Sequence, residues 1–229
     1  QGADAAAAER FDEISAETTN RRPRLPVGEP GGGPSVLHVQ VLLDRANFSP
    51  GVLDGRWGKN TEKAVYWFQY DRGLEPTGQV DAVTYDLLVA ASRERPAVEP
   101  YTLTADDLAG PFVDLPDDVY EKAELDCLCY ESAIERLAER HHATPELLAQ
   151  LNPGLDAGAL QEGTTLWVPA VRDGTNAPEA GAVDRIVISK NGFYTQALAS
   201  HGTILFHFPS TLGTDSDPTP GGEFHVTGI

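Results

Sequence analysis

The sequence predicts a multidomain α+β protein with a three-helix bundle, a βααβ module and an incomplete antiparallel β-sandwich. Between residues 35 and 92, apolar residues recur at helical spacing in three stretches separated by tight turns. Residues 121–171 show the order strand, helix, helix, strand, and residues 184–229 contain stretches typical of strands. The remaining segments are predicted to be an N-terminal helix with a Pro/Gly linker at 1–34 and two further linkers at 93–120 and 172–183.

The composition excludes several classes of function. The chain has 229 residues, of which 41% are hydrophobic and 23% charged, as in an ordinary folded protein. Its formal net charge of −18 disfavours nucleic acid and anionic lipid as partners. No apolar run approaches the roughly 20 residues that cross a bilayer. We therefore expect no nucleic-acid partner and no membrane span.

Two short motifs could be mistaken for metal or redox sites. Cys127 and Cys129 are two residues apart, too close for an unstrained disulfide and too few for a metal site, so we interpret them as core or surface thiols. His141 and His142 are adjacent on a predicted helix, about 100° apart, and share a site poorly. No metal and no cofactor are expected.

Helix boundaries in the bundle follow from capping residues. The first helix has one apolar face, formed by Val36, Val39, Leu42, Leu43 and Ala46. The second helix begins near Asn60 or Thr61, both plausible N-caps, and ends near Asp71. Gly73 suits the C′ position after it, and Asp81 can cap the third helix.

The two later units carry equally local signals. Thr144 followed by proline predicts a helix start, and the Asn152-Pro153 pair predicts its end. The segment TTLWVPA is predicted to be a strand. Four more strands are predicted at RIVIS, FYTQALA, TILFHF and EFHVTGI, with hairpin turns at Asn191-Gly192 and His201-Gly202.

The run VQVLLDRANFSPGVLDGRWGKNTEKAVYWFQYDRGLEPTGQVDAVTYDLL resembles the peptidoglycan-binding type 1 domain, a three-helix module of cell-wall proteins. Gly55 and Gly58 are expected to permit the tight turn before the second helix, where positive φ must be accessible. Sugars and stem peptides bind by aromatic stacking and scattered hydrogen bonds. The candidate peptidoglycan-binding residues are Asp54, Trp57, Thr61, Tyr66, Trp67 and Gln69.

Two further resemblances concern the rest of the chain. Residues 121–171, with YESAIERLAERHHATPELLAQLNPG and GTTLWVP, look like a lysin motif, which implies binding of N-acetylglucosamine-containing glycans. Residues 184–229 resemble the first part of an L,D-transpeptidase catalytic domain, a β-sandwich that carries a cysteine nucleophile beside a histidine. That motif is missing here, since 184–229 contain no cysteine and His201 lies in a predicted turn. No catalytic residue is assigned.

These resemblances predict an exported protein of the periplasm or cell wall with peptidoglycan as its partner. One alternative is the substrate-binding portion of an L,D-transpeptidase, and we expect the chain to be truncated because EFHVTGI ends as a bare strand. The other is a non-catalytic anchoring or regulatory protein. A peptidoglycan hydrolase is disfavoured because no metal triad or carboxylate pair is visible. The Pro/Gly linkers suggest partly independent modules.

Overall fold

A computed structural model of the chain describes residues 13–93, 95–174 and 177–226. Residues 1–12, which belong to the predicted N-terminal helix, lie outside the described residues. The helices are α1 (Ala16–Thr19), α2 (Pro34–Arg45), α3 (Lys59–Asp71), α4 (Ala82–Ala91), α5 (Ala105–Leu108), α6 (Val119–Ala123), α7 (Ala133–Arg140) and α8 (Pro145–Leu151). The strands are β1 (Val98–Thr102), β2 (Thr165–Pro169), β3 (Arg185–Ser189), β4 (Tyr194–Leu198) and β5 (Ile204–Pro209).

The helical bundle α2–α4 forms as the sequence predicts. Asp81 caps α4, its carboxylate accepting a 2.8 Å hydrogen bond from the backbone N–H of Thr84. The predicted N-cap of α3 is wrong by two or three residues, because the N-cap is Gly58 and not Asn60 or Thr61. Gly58 has an extended backbone with φ −133°, so the expected positive φ occurs at Gly55 (φ +68°) and not at Gly58.

Helix α2 is buried on more sides than the predicted single stripe. Its predicted apolar face packs in one cluster with α3 and α4. Leu37 and Val41, on another face, belong to a second cluster with residues of α7, α8 and β2. Eleven of the twelve residues of α2 are buried, including the polar His38, Gln40, Asp44 and Arg45, so the helix lies at the core shared by the bundle and the module that follows.

The second module has two paired strands and two helices, but its first strand precedes the predicted range. Helix α8 is capped by Thr144, as predicted. Strand β2 pairs antiparallel with β1, from Val98 opposite Pro169 to Thr102 opposite Thr165. Strand β1 lies in the stretch predicted to be a linker. It contains Pro100, which disfavours a central strand but is tolerated at an edge, and both strands of a two-stranded sheet are edges.

The third unit is a single three-stranded antiparallel sheet in the order β3-β4-β5. The predicted turns at Asn191-Gly192 and His201-Gly202 lie in its two hairpin connections. The predicted strand EFHVTGI is wrong over its first part, since residues 223–226 have no strand structure, and 227–229 are not described. Among the described residues no second sheet covers this one, so the sandwich is not observed.

The sheet packs directly on the bundle. Residues 47–49 extend it beyond β5, since His207 N–H donates to Asn47 O (2.9 Å) and Ser49 N–H donates to His207 O (2.8 Å). Leu198 and Ile204 of the sheet are buried in the bundle cluster. The linkers therefore do not separate loosely tethered modules, contrary to the expectation of partial independence.

Asp44, at the end of α2, joins all three units. Its buried carboxylate accepts hydrogen bonds from His142 Nδ1 and from the backbone N–H of Arg172, each at 3.0 Å. The Arg172 guanidinium in turn lies 5.0 Å from the ring centre of Phe208 in β5. One carboxylate thus contacts the helical module and the segment leading into the sheet.

The interpretation of Cys127 and Cys129 as free thiols is wrong. They form a disulfide, with their Cα atoms 5.2 Å apart. That separation falls within the usual range for disulfides, so a sequence separation of two does not prevent the bond.

Candidate functional site

The loop before α3 is held against the preceding Gly-rich segment. Gly33 N–H donates to Gly55 O, and Trp57 N–H donates to Gly31 O, each at 2.8 Å. A Cβ atom on Gly55 would lie 2.6 Å from Ile14 Cδ1, and the residue also has a positive φ. The positive φ of Gly55 favours glycine here, and a side chain would also require Ile14 to move. The Gly-rich part of the predicted linker therefore pairs with the loop before α3 and is not a free connection.

Gln40 of α2 organises this loop from inside, and it was not among the predicted site residues. Its side-chain oxygen accepts from Gly55 N–H at 2.9 Å, and its amide nitrogen donates to Asp54 Oδ1 and Arg56 O, each at 3.0 Å. Thr61 Oγ1 accepts from the same nitrogen at 3.3 Å and is only 2% exposed. The sequence signal for this role was a single glutamine, Gln40, among the apolar residues of α2, which indicates a buried polar side chain that needs hydrogen-bond partners.

Gln69 plays the corresponding part for the turn before α4. Its oxygen accepts from Gly78 N–H at 2.9 Å, and its nitrogen donates to Gln79 O at 2.8 Å and to Thr84 Oγ1 at 3.0 Å. The residue is 2% exposed. Thr61 and Gln69 thus face inward and hold loops in place, which differs from the direct ligand contacts expected of them.

Asp54 and Trp57 meet in a cleft of about 690 Å³. Asp54 also accepts a hydrogen bond from the N–H of Arg56 at 2.9 Å, and Trp57 is half-buried against the bundle core. The cleft is named here the loop–α8 cleft, because its other side is formed by α8 and the residue after Asn152. Its lining comprises Glu13, Ile14, Gly31, Gly32, Gly33, Asp54, Gly55, Arg56, Trp57, Ala149, Gln150 and Pro153.

Tyr66 and Trp67 do not line the loop–α8 cleft. Trp67 lies between neighbouring rings, with its centroid 5.4 Å from that of Tyr66 and 5.1 Å from that of Tyr194 in β4. Tyr66 remains 39% exposed. The six predicted residues therefore separate into a pair in the cleft, a pair of loop supports and a pair of aromatic residues on α3.

The junction of α3 with the sheet has one strongly perturbed group. His207 is buried, its ring contacting Trp67 and Tyr194, and Gln196 Nε2 donates to its Nδ1 at 3.2 Å. Burial, and then the charge of Lys63, lowers the pKa of His207 to about 4. The imidazole is consequently neutral at pH 7, which suits a packing role.

The cleft offers the groups that bind a saccharide or peptide. It presents an indole, two carboxylates, a guanidinium and an amide along an open, partly apolar depression. Among residues 13–93, 95–174 and 177–226, no group of three or more His, Cys, Asp or Glu side chains could hold a metal ion. In the same ranges no helix is long and apolar enough to cross a membrane.

Comparison with known proteins identifies the class of the bundle. Residues 32–88 match the family model described as "Putative peptidoglycan binding domain". This range includes α2, α3, most of α4 and the loop of the cleft, so the chain carries a domain of that family and peptidoglycan is supported as its partner.

Two curated proteins are similar to parts of the chain. The putative L,D-transpeptidase YkuD of Bacillus licheniformis is 31% identical over 93 residues, covering 41% of this chain and 53% of the relative. The carboxy-terminal processing protease CtpB of Bacillus subtilis is 43% identical over 53 residues, covering 23% of this chain and 11% of the relative. The chain thus spans about half the length of the first relative and about a tenth of the second. The resemblance to peptidoglycan-binding, L,D-transpeptidase-like proteins is confirmed.

Proposed function

We propose that this chain is an exported, peptidoglycan-binding part of an L,D-transpeptidase, and that the loop–α8 cleft contacts the wall polymer. The observation that carries the proposal is that Asp54 and Trp57, both in the matched family domain, lie together in a cleft that this domain lines in part. Trp57 would stack on a sugar ring, and Asp54 would accept hydrogen bonds from hydroxyl or amide groups.

The other candidate residues take supporting roles in this proposal. Thr61 and Gln69 hold the two loops from inside, and Tyr66 with Trp67 forms a second aromatic surface near the sheet. The disulfide between Cys127 and Cys129 agrees with a periplasmic or cell-wall location, because such bonds persist in oxidising compartments.

Retention on purified sacculi tests wall binding. The Trp57→Ala variant should bind about tenfold more weakly, since stacking and burial of one aromatic ring contribute roughly 1.5 kcal/mol. Tyr120→Ala is the matched control, because Tyr120 is an exposed aromatic residue that does not line the cleft. Equal retention of the parent and Trp57→Ala would refute the site, and no retention of the parent would refute wall binding.

Cross-link formation through a cysteine acyl-enzyme is the proposed activity of the complete enzyme, supported by the similarity to the relative named as a putative L,D-transpeptidase. A non-catalytic anchoring or regulatory protein is the second candidate. It is favoured by the match of residues 32–88 to a peptidoglycan-binding domain, since this is the part of the chain that a family model identifies.

The mass of the protein isolated from its source separates these candidates. For the enzyme, we expect a mass above 24.6 kDa. We also expect a further cysteine whose replacement abolishes cross-linking of muropeptides. A mature mass of 24.6 kDa would leave the anchoring protein.

A further inference from the structure

The two walls of the loop–α8 cleft come from different units of the chain. One wall is the loop at 54–57 with the paired Gly-rich segment, within the matched peptidoglycan-binding domain. The other is formed by Ala149, Gln150 and Pro153, in and after α8. Three of the twelve lining residues therefore come from the α7–α8 module, outside the range that the family model matches.

Backbone pairing fixes these walls relative to each other. Leu53, the residue before Asp54, pairs with the turn between α7 and α8: its N–H donates to His142 O at 2.7 Å, and its carbonyl accepts from Thr144 N–H at 3.1 Å. Leu53 also lies in the same buried cluster as Leu147 and Leu148 of α8. A rigid cleft of this kind is pre-organised, which reduces the entropy lost when a ligand binds.

The lining carries groups suited to a ligand with both sugar and peptide parts: the Trp57 indole, the Arg56 guanidinium, and the two carboxylates of Glu13 and Asp54. Trp57 contributes its partly exposed indole, and Arg56 beside it is an exposed residue whose guanidinium can pair with a carboxylate. Gln150 is exposed on the opposite wall and can donate to and accept from acetamido or peptide groups. Ala149 and Pro153 are small, so the cleft stays open between these groups.

We propose that the loop–α8 cleft is one binding site built jointly by the peptidoglycan-binding domain and the α7–α8 module. Its ligand is a saccharide carrying an acidic peptide, with the sugar on Trp57 and a peptide carboxylate on Arg56. This inference rests on the proposed function and adds a second wall and a ligand class to it.

Substitutions on the α8 wall test the shared site in the full chain. The probe is a purified disaccharide-tetrapeptide muropeptide, and affinity is measured by calorimetry. Ala149→Glu places a carboxylate in the cleft and should weaken binding by about tenfold through repulsion and bulk. Ala90→Glu is the control, because Ala90 is also an exposed alanine within a helix and does not line the cleft.

The same measurements separate failure of this inference from failure of the proposed function. If Trp57→Ala weakens binding but Ala149→Glu behaves like Ala90→Glu, the shared site is refuted and the loop site stands. If neither Trp57→Ala nor Ala149→Glu weakens binding, the cleft is not the wall-binding site. Circular dichroism of each variant verifies that it is folded.

A second comparison tests the peptide carboxylate. Arg56→Gln should weaken muropeptide binding by about tenfold, while binding of a peptide-free N-acetylglucosamine tetramer should change less than about twofold. Ala149→Lys should weaken muropeptide binding less than Ala149→Glu, since it adds similar bulk with the opposite charge. Equal losses for both probes in Arg56→Gln, or for both substitutions at Ala149, would overturn the assignment of an acidic ligand.

Discussion

Leu37→Ala tests whether the bundle and the α7–α8 module share one core. Leu37 lies on α2, is fully buried, and packs in the cluster that contains Leu147 and Leu148. The substitution removes three buried carbon atoms, worth about 2.4 kcal/mol at about 0.8 kcal/mol each. Incomplete closure of the resulting cavity raises the expected loss in unfolding free energy to about 3 kcal/mol. For a chain of this length, that lowers the melting temperature by roughly 6–12 °C.

The assay must report on the module that does not contain Leu37. Trp167 lies in β2, and replacing Trp57 and Trp67 with phenylalanine leaves it as the only tryptophan. Urea unfolding followed by Trp167 fluorescence should shift with Leu37→Ala by the same amount as unfolding followed by circular dichroism. The control Val83→Ala, at an exposed site on α4, should change stability by less than about 0.5 kcal/mol. An unchanged Trp167 transition would refute the shared core.

Two further predictions concern pH and the disulfide. Burial lowers the pKa of His207 to about 4 in the folded chain, whereas the ordinary value in the unfolded chain is 6.5. Between these two pH values the unfolded chain binds a proton at His207 and the folded chain does not. Stability should therefore fall from pH 6.5 to 4 by up to about 1.4 kcal/mol per unit from this group, and His207→Gln should remove that slope in urea titrations at several pH values. Replacing Cys127 and Cys129 by serine should cost less than about 2 kcal/mol, because so short a loop constrains the unfolded chain little. Retention of that double variant on sacculi should be unchanged, since neither cysteine lines the loop–α8 cleft.

The pH prediction and the disulfide prediction each have an outcome that would contradict them. His201→Gln alters an exposed histidine and should leave the pH slope as in the parent. A slope that persists in His207→Gln would contradict the assigned cause. For the disulfide, a loss above about 3 kcal/mol, or weaker retention on sacculi, would show that it supports more than its own loop.

The bundle was predictable because its signals are local. Apolar spacing, the Asp81 cap and the glycine after α3 each act within a few residues, and all three helices form where they indicate. The second face of α2, with Leu37 and Val41, was not predicted, because it depends on packing against residues about a hundred positions later. Strand β1 was missed because Pro100 disfavours a strand in general. Proline is tolerated in an edge strand, and only the pairing with β2 shows that β1 is one.

The lining of the candidate cleft was predicted only in part for the same reason. Asp54 and Trp57 were named as candidates because the turn and the aromatic residue lie next to each other in sequence, and both line the cleft. Thr61 and Gln69 are polar in sequence, but their spacing places them on the buried side of α3. Ala149 and Gln150 carry no local mark of a binding wall, and only the tertiary pairing of Leu53 with the α7–α8 turn brings them to the cleft.

The contacts of Asp44 have a mechanical consequence. His142 and Arg172 meet on this one carboxylate, and Arg172 covers Phe208 of the sheet. A force on a polymer bound in the cleft would thus be transmitted to the sheet through these packed contacts, without first extending a flexible linker. In the proposed enzyme, the sheet would lie at a fixed distance from the bound glycan. The fold would therefore determine how far from the binding site a stem peptide must be to reach the sheet.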